Sequence, residues 1–171
     1  MKSLSTDDIE RTIADMAGAL RQLPGFSADD AVMIGVQTGG YWIAERLHQL
    51  LALREPLGSL STRLYRDDFN KIGLHGKIQP SNVPAPIENR CVIVVDDVLG
   101  TGRTARAAMN ELFDYGRPAS IRLAVLVDRN GRELPISPDV VGRRIKLPPG
   151  QYVRLSGPSP LTLDIHERAR P

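Results

Sequence analysis

Residues 92–104 read VIVVDDVLGTGRT, and no other stretch restricts the folding of this chain so closely. A β-branched apolar run without helical period predicts a buried strand, and the run stops abruptly at Asp96 and Asp97. Val98, Leu99, Gly100, Thr101, Gly102, Arg103 and Thr104 then open an amphipathic helix. Gly100 and Gly102 permit positive φ and close backbone approach. The N–H groups from Thr101 to Thr104 are therefore expected to converge on an anion at the positive end of that helix. The carboxylates just ahead would repel this anion unless they face sugar hydroxyls or a divalent cation bridging sugar and phosphate. A sugar phosphate with its metal is the ligand such a turn suits.

Other readings compete for the same residues. Gly100 to Ala105 also spells the dinucleotide pattern G-x-G-x-x-A, and Asp128 ends the next strand about where a ribose-binding acid belongs. Against it, Asp96, Asp97, Val98 and Leu99 separate the first glycine from the strand. A Walker A loop is excluded by the glycine spacing and by the lack of a Lys before Thr104. A turn with no ligand would leave adjacent acids at a buried strand end without a partner, which is costly.

Around this segment the chain alternates strand and helix. Ser5 precedes a helix with Ile9, Ile13, Met16, Leu20 and Leu23 at helical spacing, ended by Pro24-Gly25. Ala31 to Val36 reads as a buried strand, and Gly40 to Leu53 as a helix with Ile43, Ala44, Leu47, Leu50 and Leu51 on one side. Leu60 to Tyr65 is the next strand. Asp67 to Arg90 is polar and proline-rich, too long for an ordinary connection, and expected to be mobile without ligand. Ala105, Ala108, Met109, Leu112 and Phe113 form the apolar stripe of the following helix, stopped at Gly116 and Pro118. Ile121 to Val127 is a strand. Val140 to Ile145, Tyr152 to Leu155 and Leu161 to Ile165 are short β segments expected partly outside the main sheet. The pattern predicts a parallel α/β sheet with appendages.

Composition limits the classes of function. With 171 residues, 42% of them hydrophobic, the chain is sized for one domain with a real core. Its single Cys91 forms no internal disulfide, no apolar stretch approaches the roughly 18 residues of a membrane span, and the polar, acidic start of the chain lacks a signal peptide. A cytoplasmic location is expected. The net charge of +2 does not by itself predict nucleic-acid binding.

In open α/β sheets ligands lie beyond the carboxyl ends of the strands, and three strand exits are expected to meet there. They are Gln37-Thr38-Gly39-Gly40, the turn after Asp97, and Asp128-Arg129-Asn130-Gly131-Arg132-Glu133. The first could bring backbone amides to a second phosphate at another helix start, or serve only as a tight turn that requires glycine. Arg132 and Glu133 read best as solvated loop charge.

The segment 92–104 resembles the 5-phosphoribosyl-1-pyrophosphate (PRPP) signature of type I phosphoribosyltransferases, and more narrowly that of the PyrR family of bifunctional pyrimidine operon regulators and uracil phosphoribosyltransferases. The likeness extends through Gly116-Arg117-Pro118, Asp128-Arg129, Arg132-Glu133-Leu134-Pro135, Leu64-Tyr65-Arg66-Asp67-Asp68 and Thr38-Gly39-Gly40, and so over nearly the whole chain.

The resemblance implies one phosphoribosyltransferase domain over residues 1–171, with a parallel sheet flanked by helices, a flexible loop and a small hood. It implies formation of UMP and pyrophosphate from uracil and PRPP, with Mg2+ carried by PRPP rather than by an assigned protein ligand. Asp96 and Asp97 become the catalytic pair. PRPP and nucleotide contacts fall to Thr38, Gly39, Gly40, Arg66, Asp96, Asp97, Val98, Leu99, Gly100, Thr101, Gly102, Arg103, Thr104, Arg129 and Val153, with Thr38 to Gly40 as the pyrophosphate loop, Arg66 as a charge for pyrophosphate and Arg129 toward the base. A homodimer or larger assembly and binding of pyrimidine-operon mRNA follow from the same likeness. The rival emphasis is a nucleotide-sensing RNA-binding attenuation regulator with weak or no transferase activity. The basic residues Arg11, Arg21, Arg143, Arg144, Lys146 and Arg154 are scattered among acids, so dimerisation would have to gather them.

This sequence departs from the family pattern at three places. Gly39 stands where many members carry Arg, Gly100 where the common pattern has Tyr, and Asn130-Gly131 where Gly-His is usual. The first removes a cation beside the leaving pyrophosphate and puts the catalytic rate in question.

Overall fold

The computed structural model of the chain describes residues 3–62 and 79–167. Helix α1 (Thr6–Arg21) starts where expected, because Ser5 and Asp8 form a reciprocal capping box. It buries Ile9, Thr12, Ile13, Met16, Ala17 and Leu20 along one face. Strand β1 (Val32–Val36) is wholly buried and leads through the turn at Thr38 into α2 (Gly39–Leu51). Leu50, expected on the buried stripe, lies at its edge in the last turn and is 46% exposed.

Strand β2 (Gly58–Leu60) begins before the expected Leu60 to Tyr65 segment, and residues from 63 onward fall outside those described. Its outer edge is covered, since Ser59 exchanges backbone hydrogen bonds of 2.7 and 2.8 Å with Asn82. The expectation of a mobile Asp67 to Arg90 connection does not hold for its described end. Ala85 and Ile87 are 5% and 1% exposed and pack into the core, so burial of apolar area fixes this part of the chain.

Strand β3 (Cys91–Leu99) is followed by α3 (Arg103–Leu112) and β4 (Ser120–Arg129). Strand β5 (Val140–Ile145) pairs in parallel with β4 and completes the main sheet, so of the three late segments expected partly outside it, this one lies inside. Phe113, expected on the α3 stripe, is the residue after the helix and is 58% exposed. Strands β6 (Gln151–Ser156) and β7 (Thr162–Glu167) form the separate antiparallel pair that the hood expectation required.

The parallel sheet has the order β2-β1-β3-β4-β5. Side-chain alternation divides its core into two layers. Met33, Ile93, Val95, Ala124 and Leu126 face α1 and α2, whereas Val32, Ile34, Val92, Val94 and Val125 face α3 and the 85–87 segment. At the start of β3, Arg90 ties loops together through Asp30 at 3.1 Å and Glu55 at 2.8 Å, and those carboxylates hold its guanidinium even more firmly protonated than usual. The opposite rim, at the carboxyl ends, is where the order reverses between β1 and β3. That reversal opens the crevice in which sheets of this kind bind ligands.

Candidate active site

Two turns meet at this switch point. Strand β3 does not stop at the acidic pair, because its pairing with β4 continues through Asp96↔Val125, Val98↔Val127 and Leu99↔Asp128. Asp96 and Asp97 are thus held by a sheet ladder rather than a loop, at 3% and 8% exposure. The Asp97 N–H donates to Asp96 Oδ1 at 2.9 Å, and the Val98 N–H donates to Asp97 Oδ1 at 3.0 Å. Successive backbone amides therefore fix both carboxylates at the crevice.

The β1 exit packs directly against them, through a cis peptide between Gln37 and Thr38. A Cβ at Gly40 would lie 2.5 Å from the Val95 carbonyl and 2.8 Å from the Asp96 α-carbon. At Gly39 it would fall on the Asp97 carboxylate, 2.7 Å from Cγ. Close approach, not left-handed backbone, is why glycine stands at both positions. In the first turn of α2, burial pushes the Tyr41 hydroxyl pKa up, with the charge of Glu45 adding to it, so this phenol stays protonated at neutral pH.

After Leu99 the chain turns through Gly100, Thr101 and Gly102. Gly102 has φ 94° and caps α3, as its expected positive φ requires. Gly100 does not take a positive φ and is needed for space instead, since a Cβ there would lie 2.5 to 2.8 Å from the Arg129 guanidinium. The first turn of α3 contains no acidic residue, so its positive end is not neutralised from within the helix. Val98 to Thr104 thus form one continuous wall leading from the carboxylates to a helix N-terminus.

Sequence reasoning missed what holds this turn. Arg132 donates to the Gly100 carbonyl at 2.6 Å and pairs with Asp128 at 2.5 Å. Glu133 pairs with Arg103 at 2.7 Å, and the Glu133 and Leu134 N–H groups donate to the Thr101 carbonyl at 2.9 and 3.1 Å. Arg132 is therefore not solvated loop charge, whereas the Glu133 side chain stays half-exposed at 51% and Glu133 ties the turn chiefly through its backbone N–H. The only signal in the sequence was their placement after a strand adjacent to β3. Val153 sits elsewhere, in β6 opposite Ile165, half-buried against the main core. Arg66 lies outside the described residues.

Residues 4–153 match the phosphoribosyl transferase domain family. Among curated relatives, "Bifunctional protein PyrR" of Nitrosococcus oceani is 50% identical over 165 residues, covering 95% of this chain and 92% of that one. Its counterpart in Pseudomonas paraeruginosa is 53% identical over 131 residues, 77% of each chain. Among solved structures, a hypoxanthine-guanine phosphoribosyltransferase from Bacillus anthracis superposes with a TM-score of 0.68 at 18% identity, over 97% of this chain and 98% of that one. A purine phosphoribosyltransferase from Pyrococcus horikoshii gives 0.62 at 26% identity, over 83% and 85%.

Sheet order, acidic pair and glycine turn together define a phosphoribosyltransferase. Within that class the chain belongs to the PyrR family. The dinucleotide-binding alternative falls on this match and not on glycine spacing, for β3 runs to Leu99 and Gly100 follows it at once. Among the described residues no helix is long and apolar enough to cross a membrane.

Proposed function

We propose that the protein transfers the phosphoribosyl group of PRPP to uracil, yielding UMP and pyrophosphate. The observation that carries this reading is the buried Asp96–Asp97 pair fixed between the Gly39-Gly40 turn and the Gly102-capped helix α3, in a chain about half identical to bifunctional PyrR proteins.

In this scheme the 5-phosphate lies against the amides of the 100–104 turn, and the ribose hydroxyls face Asp96 and Asp97. The bond from the anomeric carbon to pyrophosphate breaks, a bond to a uracil ring nitrogen forms, and that nitrogen loses its proton. Positive charge on the ribose ring during this exchange is stabilised by carboxylates that need no reorganisation. The Thr38 to Gly40 turn and Arg66 attend the pyrophosphate, while Arg129 completes the nucleotide contacts.

The donor set suits Mg2+, because Asp96 and Asp97 are hard oxygen ligands and this ion typically takes one or two carboxylates with substrate phosphates and water. No cluster of three or more metal-ligating side chains occurs among the described residues. When bound, it neutralises charge building on the leaving pyrophosphate.

Purified protein supplied with PRPP and Mg2+ is expected to convert uracil in preference to hypoxanthine, guanine or orotate. Preference for another base rejects the assignment.

The word "bifunctional" in the relatives' name and the α1–β5 edge support a second role, attachment to pyrimidine-operon mRNA under nucleotide control. At that edge Arg143 donates to Thr12 at 3.2 Å, and the neighbouring Arg11 and Arg144 have side chains 75% and 74% exposed. A homodimer or larger assembly would bring several such edges together, with affinity falling steeply in salt. Failure to prefer leader RNA over scrambled RNA, with and without UMP, excludes this role.

A further inference from the structure

The guanidiniums around the 100–104 turn are not equivalent. Arg103 faces Glu133 at 2.7 Å, Arg132 faces Asp128 at 2.5 Å, and Arg144 reaches Asp128 at 3.7 Å. Each of these three charges is answered by a carboxylate. Arg129 differs. Its guanidinium donates to the Asn130 backbone carbonyl at 2.9 Å, and among the described residues it makes no ion pair. The side chain is half-buried, where a charge without counter-charge is less well hydrated than on open surface.

Its position is set by a missing side chain. An ideal Cβ on Gly100 would lie 2.5 Å from Nη2, 2.6 Å from Cζ and 2.8 Å from Nε of Arg129. The planar group is thus laid on the first residue of the phosphate turn. Any residue larger than glycine at position 100 has to push it away, and a flexible side-chain end yields at little cost to the fold.

We propose that Arg129 is a ligand of the 5-phosphate rather than of the base, and that Gly100 is the positioning residue that admits it to the turn. Guanidinium and phosphate match in charge and in paired hydrogen-bond geometry, so the unanswered cation against Gly100, one residue before the Thr101 to Thr104 amides, completes an anion site that backbone alone would leave weaker. The inference rests on the phosphoribosyltransferase reading and moves one residue within it from base contact to phosphate contact.

The test is calorimetric titration of the full chain with UMP, ribose 5-phosphate and uridine. Arg129→Met should weaken ribose 5-phosphate and UMP by about tenfold or more and leave uridine unchanged, with partial recovery in Arg129→Lys. Gly100→Ala should melt close to the parent protein yet weaken the same phosphorylated ligands, and it should add little once Arg129→Met is present. Loss of uridine affinity with ribose 5-phosphate unaffected would overturn the proposal in favour of a base contact. Unchanged binding of all ligands by both variants would also overturn it. If the parent protein binds none of them, the transferase reading itself fails, a result distinct from either of these.

Discussion

The carboxylate of Asp97 occupies the space that a side chain on Gly39 would need. The relationship locks together two segments that are far apart in sequence, the turn leaving β1 and the carboxyl-terminal part of strand β3. It also explains why an arginine cannot simply be placed at position 39, since its Cβ alone would collide with Asp97 unless the turn or the strand retreats.

Gly39→Ala is therefore expected to disturb catalysis more than folding. Overpacking of this kind costs about 1–3 kcal/mol in stability. Displacement of a carboxylate from the reacting ribose should cut turnover by at least roughly tenfold, by the usual sensitivity of rate to misplacement. Steady-state kinetics beside urea unfolding separates the two, and unchanged turnover would contradict the role given to Asp97.

Asp97→Asn should lower turnover by about a hundredfold while changing UMP affinity little, because the lost charge acts on the transition state. Thr104→Ala, at the phosphate end of the same segment, should weaken UMP by about tenfold, the equivalent of one hydrogen bond to a charged group. Equal losses of UMP affinity in both variants would count against this division.

Arg132→Met should destabilise the protein by about 1–3 kcal/mol, because it removes the nearer of the two arginine partners of Asp128, leaving only Arg144 at 3.7 Å, and frees the Gly100 carbonyl. Hydrogen exchange of the Thr101 to Thr104 amides should rise with it. A stable variant with unchanged exchange would show that the Arg132 link does not hold the turn.

The cap of α1 carries a pH dependence. Hydrogen bonds from the Ser5 hydroxyl and backbone, aided by the charge of Arg11, hold the Asp8 carboxyl below its ordinary range. A depressed folded-state pKa means that this stabilisation is present above the unfolded value and disappears as pH falls through the folded one. Ser5→Ala should lower stability at neutral pH. That cost should shrink as the pH drops below roughly 4. Unfolding midpoints of both proteins across this window provide the measurement, and a constant difference would refute the coupling.

Chelation with EDTA should abolish transfer from PRPP without changing the melting temperature of the ligand-free protein, because the ion is expected with the substrate. A lowered melting temperature would reveal a resident metal instead.

What could be read in the sequence was local. The Ser5 cap, the buried 92–95 run and the positive φ of Gly102 depend on a few neighbouring residues, so periodicity and turn chemistry were enough to find the strand, turn and helix that carry the acidic pair. The resemblance then added roles that no propensity encodes. Element ends were less legible, since β3 runs on through Asp96 and Asp97 only because β4 offers ladder partners as far as Asp128.

Tertiary structure alone decided the remainder. That Gly39 abuts Asp97, that Gly100 makes room for Arg129, and that Arg132 and Glu133 clasp the phosphate turn all follow from a strand order that places β3 between β1 and β4. The same packing joined β5 to the main sheet and left Leu50 exposed at the end of α2 and Phe113 exposed just beyond α3. The amino-acid sequence determined which chemical groups stand at each strand exit. Which exits touch is set by contacts between residues distant along the chain, and those contacts exist only once the sheet has assembled.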